Sequence, residues 1–581
     1  MKLKYPVVSS ILLLIFFITA QSFYSGYVRK KPTVNVAYSF KGFNRVAAFC
    51  APMYEDDDTA ANIPLLTGWG NYKFKITTKS DSAQIYFNQG LSMYYSFHTI
   101  EAIASFTKAT HLDPSSAMAW YGKSLAMGPT INYPNGYVPP KGAYEASIKA
   151  KLLKGNATPV EQALITAMEQ RYSSDTTVSV KQLRTNYANA MHAVYTKYPD
   201  NVDVMTLYAD ALMLLHPWDL YAHDFTPRPW TPEIRSLLEK AIAISSKHPG
   251  ANHYYIHTME PSATPQLANG SAHLLDTLMP LVSHITHMPS HIYLRTGDFE
   301  RGIKDNDVAI AGFNIYQKQY APVMNGFGLY VAHNMHLKLA CAQMAGAYGT
   351  ASTTADKLKK SIPADYLGMK GADGNFVQSI YMEPAITAIR FGKWDDAIKA
   401  KPVDSLPYAS LLAHFARGIA WSAKGDAAKA RQELKLLDTK MRDTSLRARM
   451  DNFSTALESA TVARLILLGV IADREKQYAS AIAFLRKAVD TEDKITYGEP
   501  RDWPLPARQY LGQTLLKAGK NDEAIAVFKQ DLVINPNNGW ALNGLLQAYQ
   551  STGKTTALAA TQLSLKNAWK LKDLPITTSV F

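Results

Sequence analysis

From Ser80 onward, apolar residues recur at helical spacing and not in strict alternation. The run from Phe87 to Pro114, F-N-Q-G-L-S-M-Y-Y-S-F-H-T-I-E-A-I-A-S-F-T-K-A-T-H-L-D-P, reads as two helices joined by a turn. Ala102, Phe106 and Ala109 form the apolar stripe of the second helix, and Pro114 ends it. Gly90 lets the two helices approach closely. The pattern returns near the C-terminus, where Gly512, Ala524, Phe528 and Pro536 hold the same offsets. Partial copies lie at Gly418–Gly425–Ala430, at Leu468–Gly469–Ala481–Ala488, and from Trp540 to Tyr549. No alternating pattern of useful length occurs, so the expected class is all-α.

These positions resemble a tetratricopeptide repeat, whose small, aromatic and proline positions recur over 34 residues. The resemblance implies an α-solenoid of helix-turn-helix units with loop insertions. The chain divides into a signal peptide or membrane anchor (1–27), an extended arm (28–79) and an N-terminal repeat region with a His-rich groove (80–350). Middle repeats (351–450) and C-terminal repeats (451–581) follow. His216–Trp230, Phe313–Phe327, Tyr133–Gly142 and Tyr497–Pro506 interrupt the repeats. Insertions of this kind become loops, often on the binding face. They either close over the groove as lids or fill gaps in the core.

The N-terminus carries a different signal. Lys2 and Lys4 precede an apolar run from Val7 to Ala20, which predicts export by a cleaved signal or an uncleaved anchor. The net charge is +13, but the lysines are scattered and no basic block or nucleic-acid motif is present. Nucleic acid is therefore not an expected partner. Two cysteines cannot build a disulfide framework, and Cys341 reads as a buried helix residue. A Cys50–Cys341 bond is open after export but nothing in the sequence supports it.

The candidate chemistry is concentrated between His248 and His291, where seven of the fifteen histidines lie. Residues 3, 4 or 7 apart share a helical face. His253, His257 and Glu260 have that spacing, as do His284, His287 and His291. His333 and His336 follow downstream. The family resemblance implies that positions 2, 5, 9 and 12 of each repeat point into the concave groove. With Gly297 at the turn, His284, His287 and His291 take positions 2, 5 and 9. Gly346 puts His333 and His336 at 2 and 5, while Pro249 puts His253 at 2 and Glu260 at 9, with His257 one residue off at 6. One unit earlier, Asp203 and Asp210 fall at about 2 and 9. Pro289 should kink its helix or start a new one.

Imidazoles and a carboxylate converging this way predict a divalent-metal site for zinc, copper, iron or nickel, with Glu260 as ligand or general base. Asn334 is the expected hydrogen-bonding partner behind the ligands. Glu383 and Glu499 read as surface caps, and Tyr254, Tyr255 and Tyr293 as packing residues. The same motifs, Y-I-H-T-M-E and H-M-P-S-H-I-Y with E-P-R-D-W-P-L-P-A-R, resemble a bacterial group of tetratricopeptide-repeat proteins with a His-rich core, across residues 65–550. That group supplies no activity to carry over. The functions in view are a groove that binds a protein, peptide or small molecule, a metal-dependent hydrolase or oxidase, and metal capture or delivery. H-Y-Y-I-H lacks the glutamate of the zinc-protease pair.

Overall fold

The computed structural model describes residues 62–132, 141–319, 327–450 and 453–581. The predicted export segment, most of the arm and Cys50 lie outside the described residues, as do most of 133–142 and the middle of 313–327. Helices follow one another through the described residues, and the one β contact there is an isolated bridge between Tyr221 and Pro227. No helix among them is long and apolar enough to cross a membrane. The expected all-α class is observed.

The repeat logic is visible in the packing. The ring of Phe106 on Thr99–Leu112 fills the space left by two glycines, Gly90 and Gly122, each sixteen residues away. Phe528 sits in the same way between Gly512 and Gly544. A side chain at any of these glycines would overlap the ring, so the small-aromatic spacing in the sequence is a packing code. Helix starts are capped as their residue types require. The Ser80 hydroxyl accepts from Ala83 N–H, Asn201 from Val204 N–H and Asn538 from Ala541 N–H. Thr455 and Glu458 form a capping box.

The described part of the arm, residues 62–79, has no helix. It lies along Asp81–Tyr94, whose Gln89, Asn88 and Gln84 accept from the N–H groups of Leu66, Phe74 and Ile76. Side-chain amides thus replace the strand pairing an extended segment normally needs.

Most repeats in a solenoid touch only their neighbours. Here the C-terminal repeat also packs back on the middle of the chain. Trp540, Trp569 and Ile576 share a core cluster with Phe299, Met335, Leu339 and Cys341. Trp540 Nε1 donates to Gln343 O at 2.9 Å, and Asp573 accepts from Tyr348 N–H and Gly349 N–H, each at 2.7 Å. Cys341 is the buried helix residue its sequence context predicted. This return carries the Tyr497–Pro506 segment onto the histidine-bearing helices.

Candidate metal centre

His253 and His257 lie on Pro249–Met259, which Glu260 terminates. Beyond the intervening helix Asn269–Leu278, Pro289 divides the next histidine-bearing segment into Ser283–His287 and Pro289–Thr296. The break predicted from proline occurs, but Met288 keeps helical angles (φ −52°, ψ −37°), so His284, His287 and His291 stay on one face. Gly297 adopts φ 81° and closes the turn that set the frame. His333 and His336 lie on Phe327–Met344.

The first trio is His253, His257 and His284, which offer nitrogens within 4.8 Å of one another. His253 Nδ1 donates to Tyr95 O at 2.6 Å. A carbonyl only accepts, so the neutral ring carries its proton on Nδ1 and presents Nε2 as a lone pair. That Nε2 stands 3.1 Å from His284 Nε2. His257 Nδ1 donates to Glu260 Oε1 at 3.0 Å, while its buried Nε2 has no hydrogen-bond partner.

The second trio is His287, His291 and His333, again within 4.8 Å. His287 Nδ1 donates to Asn306 Oδ1 at 2.6 Å, and Asn306 is held in that orientation by donating to Gly302 O at 2.7 Å. His291 Nδ1 donates to Glu260 Oε2 at 2.7 Å. Both rings therefore spend their Nδ1 protons outward, and their Nε2 atoms face each other at 2.8 Å. Two bare lone pairs at that distance repel, so a proton or a metal ion must lie between them. Glu260 and Glu499 raise His291 against its burial, which favours a proton on that ring when no metal is bound. A proton can serve two nitrogens; three converging nitrogens suit a larger cation. Nitrogens bound about 2.0–2.1 Å from one ion stand roughly 3 Å apart, the spacing of one pair in each trio, with the third nitrogen within 4.8 Å.

Glu260 serves both trios, one oxygen to each, and is fully buried. Burial raises its carboxyl, but the attraction of His291 and the hydrogen bonds from His257 and His291 outweigh it and hold the group well below the usual range. Burial depresses His257, but Glu260 and Glu499 overcome it and push the ring up to about 9. Burial, with neighbouring rings, drives His253, His284, His287 and His333 well below their ordinary value. These are neutral imidazoles, the form that binds metals. Arg295 locks the frame, donating to Glu260 O, Ser262 O and Ile534 O, each at 3.0 Å.

The expected surface role of Glu499 is corrected by the structure. Its oxygens lie 3.7 Å from His257 Nδ1 and 3.8 Å from His291 Nδ1. Burial and the Glu260 charge push its carboxyl up to about 7. Glu383 is not a surface cap either: it is buried, 3.4 Å from His336 Nε2 and accepting from Gln343 at 3.2 Å. His336 is thus paired with Glu383 and belongs to neither trio. Asn334 donates to Ser283 Oγ at 3.1 Å, and Asn306 takes the role expected of it. Asp203 and Asp210 are buried against tyrosines: Asp203 accepts from Tyr72 and Tyr95, Asp210 from Tyr94.

The histidines do not line an open groove. His253, His257, His284, His287 and His291 are at most 2% exposed, and His333 is 25% exposed at its side chain. Access runs through a cavity of about 300 Å³. His284, His333, His336 and Glu499 line one part of it, and Phe376 and Phe453 contribute apolar wall.

The tetratricopeptide repeat family model matches residues 463–494, the hairpin of Ala456–Arg474 and Tyr478–Glu492 with Gly469 and Leu485 in contact. The chain therefore carries a tetratricopeptide repeat at this hairpin. Yeast Tom70 is similar at 14% identity and TM-score 0.32, over 83% of this chain and 99% of that one. The human IFIT1 dimer with PPP-AAAA is similar at 11% identity and TM-score 0.30, over 93% and 97%. No curated protein matches the chain.

In this solenoid, several residues at the centre carry no sequence signal. Phe97 packs its ring on His253, His257 and His284, with centroids 4.5, 5.7 and 5.7 Å away. Trp218, from the 216–230 insertion, meets His257 edge-on at 5.4 Å. Both have left-handed backbones, φ 58° and 57°, rare for aromatic residues. Tyr497 and Asn306 also reach the centre from elsewhere in the sequence; Trp218 and Tyr497 stand out in the sequence only as parts of insertions, and Phe97 and Asn306 not at all.

Proposed function

We propose that this protein holds a divalent transition-metal ion in its histidine core and uses it at the inner end of the adjoining cavity, on a small ligand. The observation that carries the reading is the 2.8 Å approach of His287 Nε2 to His291 Nε2, with both Nδ1 protons committed elsewhere. The donor set is all nitrogen with carboxylates behind it, and no cysteine lies in it. That chemistry suits zinc, copper, iron or nickel. Such an ion polarises a bound oxygen and lowers the pKa of bound water.

The chain's own residues would divide the remaining work. Glu260 is tied to His257, His291 and Tyr497, so it orients ligands and cannot serve as the free base expected of it. Glu499 is the better proton carrier. Its Oε1 has no hydrogen-bond partner, and it lines the cavity. The apolar wall excludes water, and its volume fits a small molecule better than a folded protein.

The test is metal content of protein made without a histidine tag, before and after loading with zinc. His257→Ala and His287→Ala should hold less metal than the parent, with unchanged helicity, and the exposed His111→Ala should match the parent. No metal in the loaded parent leaves a metal-free binding scaffold. Export is part of the same proposal, on the sequence of residues 1–27. A reporter fused after residue 60 should leave the cytoplasm; retention there contradicts it.

A further inference from the structure

We infer that the centre is built for two ions, not one. This rests on the metal reading above and adds to it. The eight-residue candidate set would allow one ion with spare histidines nearby. Among the described residues, six histidines instead fall into two sets of three that share no ring. A third ligand group, His257 with Glu260 and Glu499, overlaps the first set at His257 and lies between the two. Each trio contains one close Nε2 pair, 3.1 Å in the first and 2.8 Å in the second.

The support behind the rings is also duplicated. The first trio is braced by Tyr95 O at His253 and by Glu260 Oε1 at His257. The second is braced by Asn306 Oδ1 at His287 and by Glu260 Oε2 at His291. A single ion would need only one such set. Glu260 joins the two sets symmetrically, and Glu499 repeats the arrangement, with Oε1 toward His257 and Oε2 toward His291 and His333. Two carboxylates straddling two trios supply negative charge where two cations would otherwise repel.

The rings that approach most nearly across the boundary are His257 to His291 and His284 to His287, each with centroids 6.1 Å apart. Those distances keep the trios separate but neighbouring. Three protein nitrogens per ion leave a coordination position open at each. His284 and His333, one from each trio, both line the cavity. The open positions therefore belong on the cavity side, where one small ligand could meet both ions.

The experiment is stoichiometry. Metal-free full-length protein is loaded with zinc, freed of excess by gel filtration, and analysed for zinc per chain. Two zinc ions per chain are expected. His253→Ala should retain one, from the second trio. His333→Ala should retain one, from the first; this residue is partly exposed, so its loss spares the core. The double variant should retain none. One zinc in the parent overturns this inference while leaving the metal reading intact. Zero zinc in the parent overturns both. Loss of all zinc in either single variant, with helicity and melting temperature kept, shows one shared site and also overturns the inference. Asn306→Ala gives a check without touching a ligand: zinc affinity should fall about 10–100-fold at one site only.

Discussion

The Tyr497 hydroxyl donates a 2.9 Å hydrogen bond to Glu260 Oε2, joining residues 237 apart in the chain. The bond closes the C-terminal insertion onto the carboxylate that orients His257 and His291. The centre therefore depends on two distant parts of the solenoid being packed together.

Glu260→Gln should lower zinc affinity about 10–100-fold with little change in helicity. A glutamine amide has one accepting oxygen, so it cannot accept from both imidazoles as the carboxylate does. One ring loses its fixed tautomer. Competition with a coloured chelator measures this, and unchanged affinity refutes the orienting role.

Phe97 should be a site where glycine beats alanine. Both substitutions remove the ring that packs on three imidazoles, but only glycine relaxes φ 58°. Phe97→Gly should be more stable than Phe97→Ala by about 1 kcal/mol, although glycine is usually the worse choice. Urea midpoints of the two variants decide it; an alanine variant as stable or more stable refutes the strain.

Gly122→Ala should destabilise the protein by about 1–3 kcal/mol, because the new methyl group meets the Phe106 ring. Gly155 has nothing within 4 Å of its Cβ position, so Gly155→Ala should be neutral or slightly stabilising. Melting temperatures of the pair test the packing code. Equal effects would show that the small-aromatic contact is not constraining.

Glu492 gives a pH signature away from the histidines. Burial pushes its carboxyl up to about 7, while Oε2 accepts from Ala507 N–H at 2.7 Å. A carboxyl raised on folding contributes its full stability below its unfolded value and loses it as pH rises through about 7. The residue is partly exposed, so the loss should be no more than about 2 kcal/mol. Glu492→Gln should therefore be less sensitive than the parent to a rise from pH 5 to pH 8. Parallel stability profiles for the two proteins would contradict this.

The sequence by itself determined the repeat class, several helix boundaries and the two strongest histidine sets. Those features are local. Helical period, turn glycines, proline stops and residues 3 or 4 apart on one face are set within a few turns of chain, so Gly297, Pro289 and the His284–His287–His291 stripe could be placed from spacing alone. Tertiary structure decided how those stripes meet. Spacing put His336 with the ligands, but packing pairs it with Glu383. Glu499, far from the histidines in sequence, read as a surface cap, but packing lays it beside His257 and His291. Asn306, Phe97 and Trp218 carry no local mark of their roles, because a tautomer, a stacked ring and a closed cavity depend on neighbours far away in sequence.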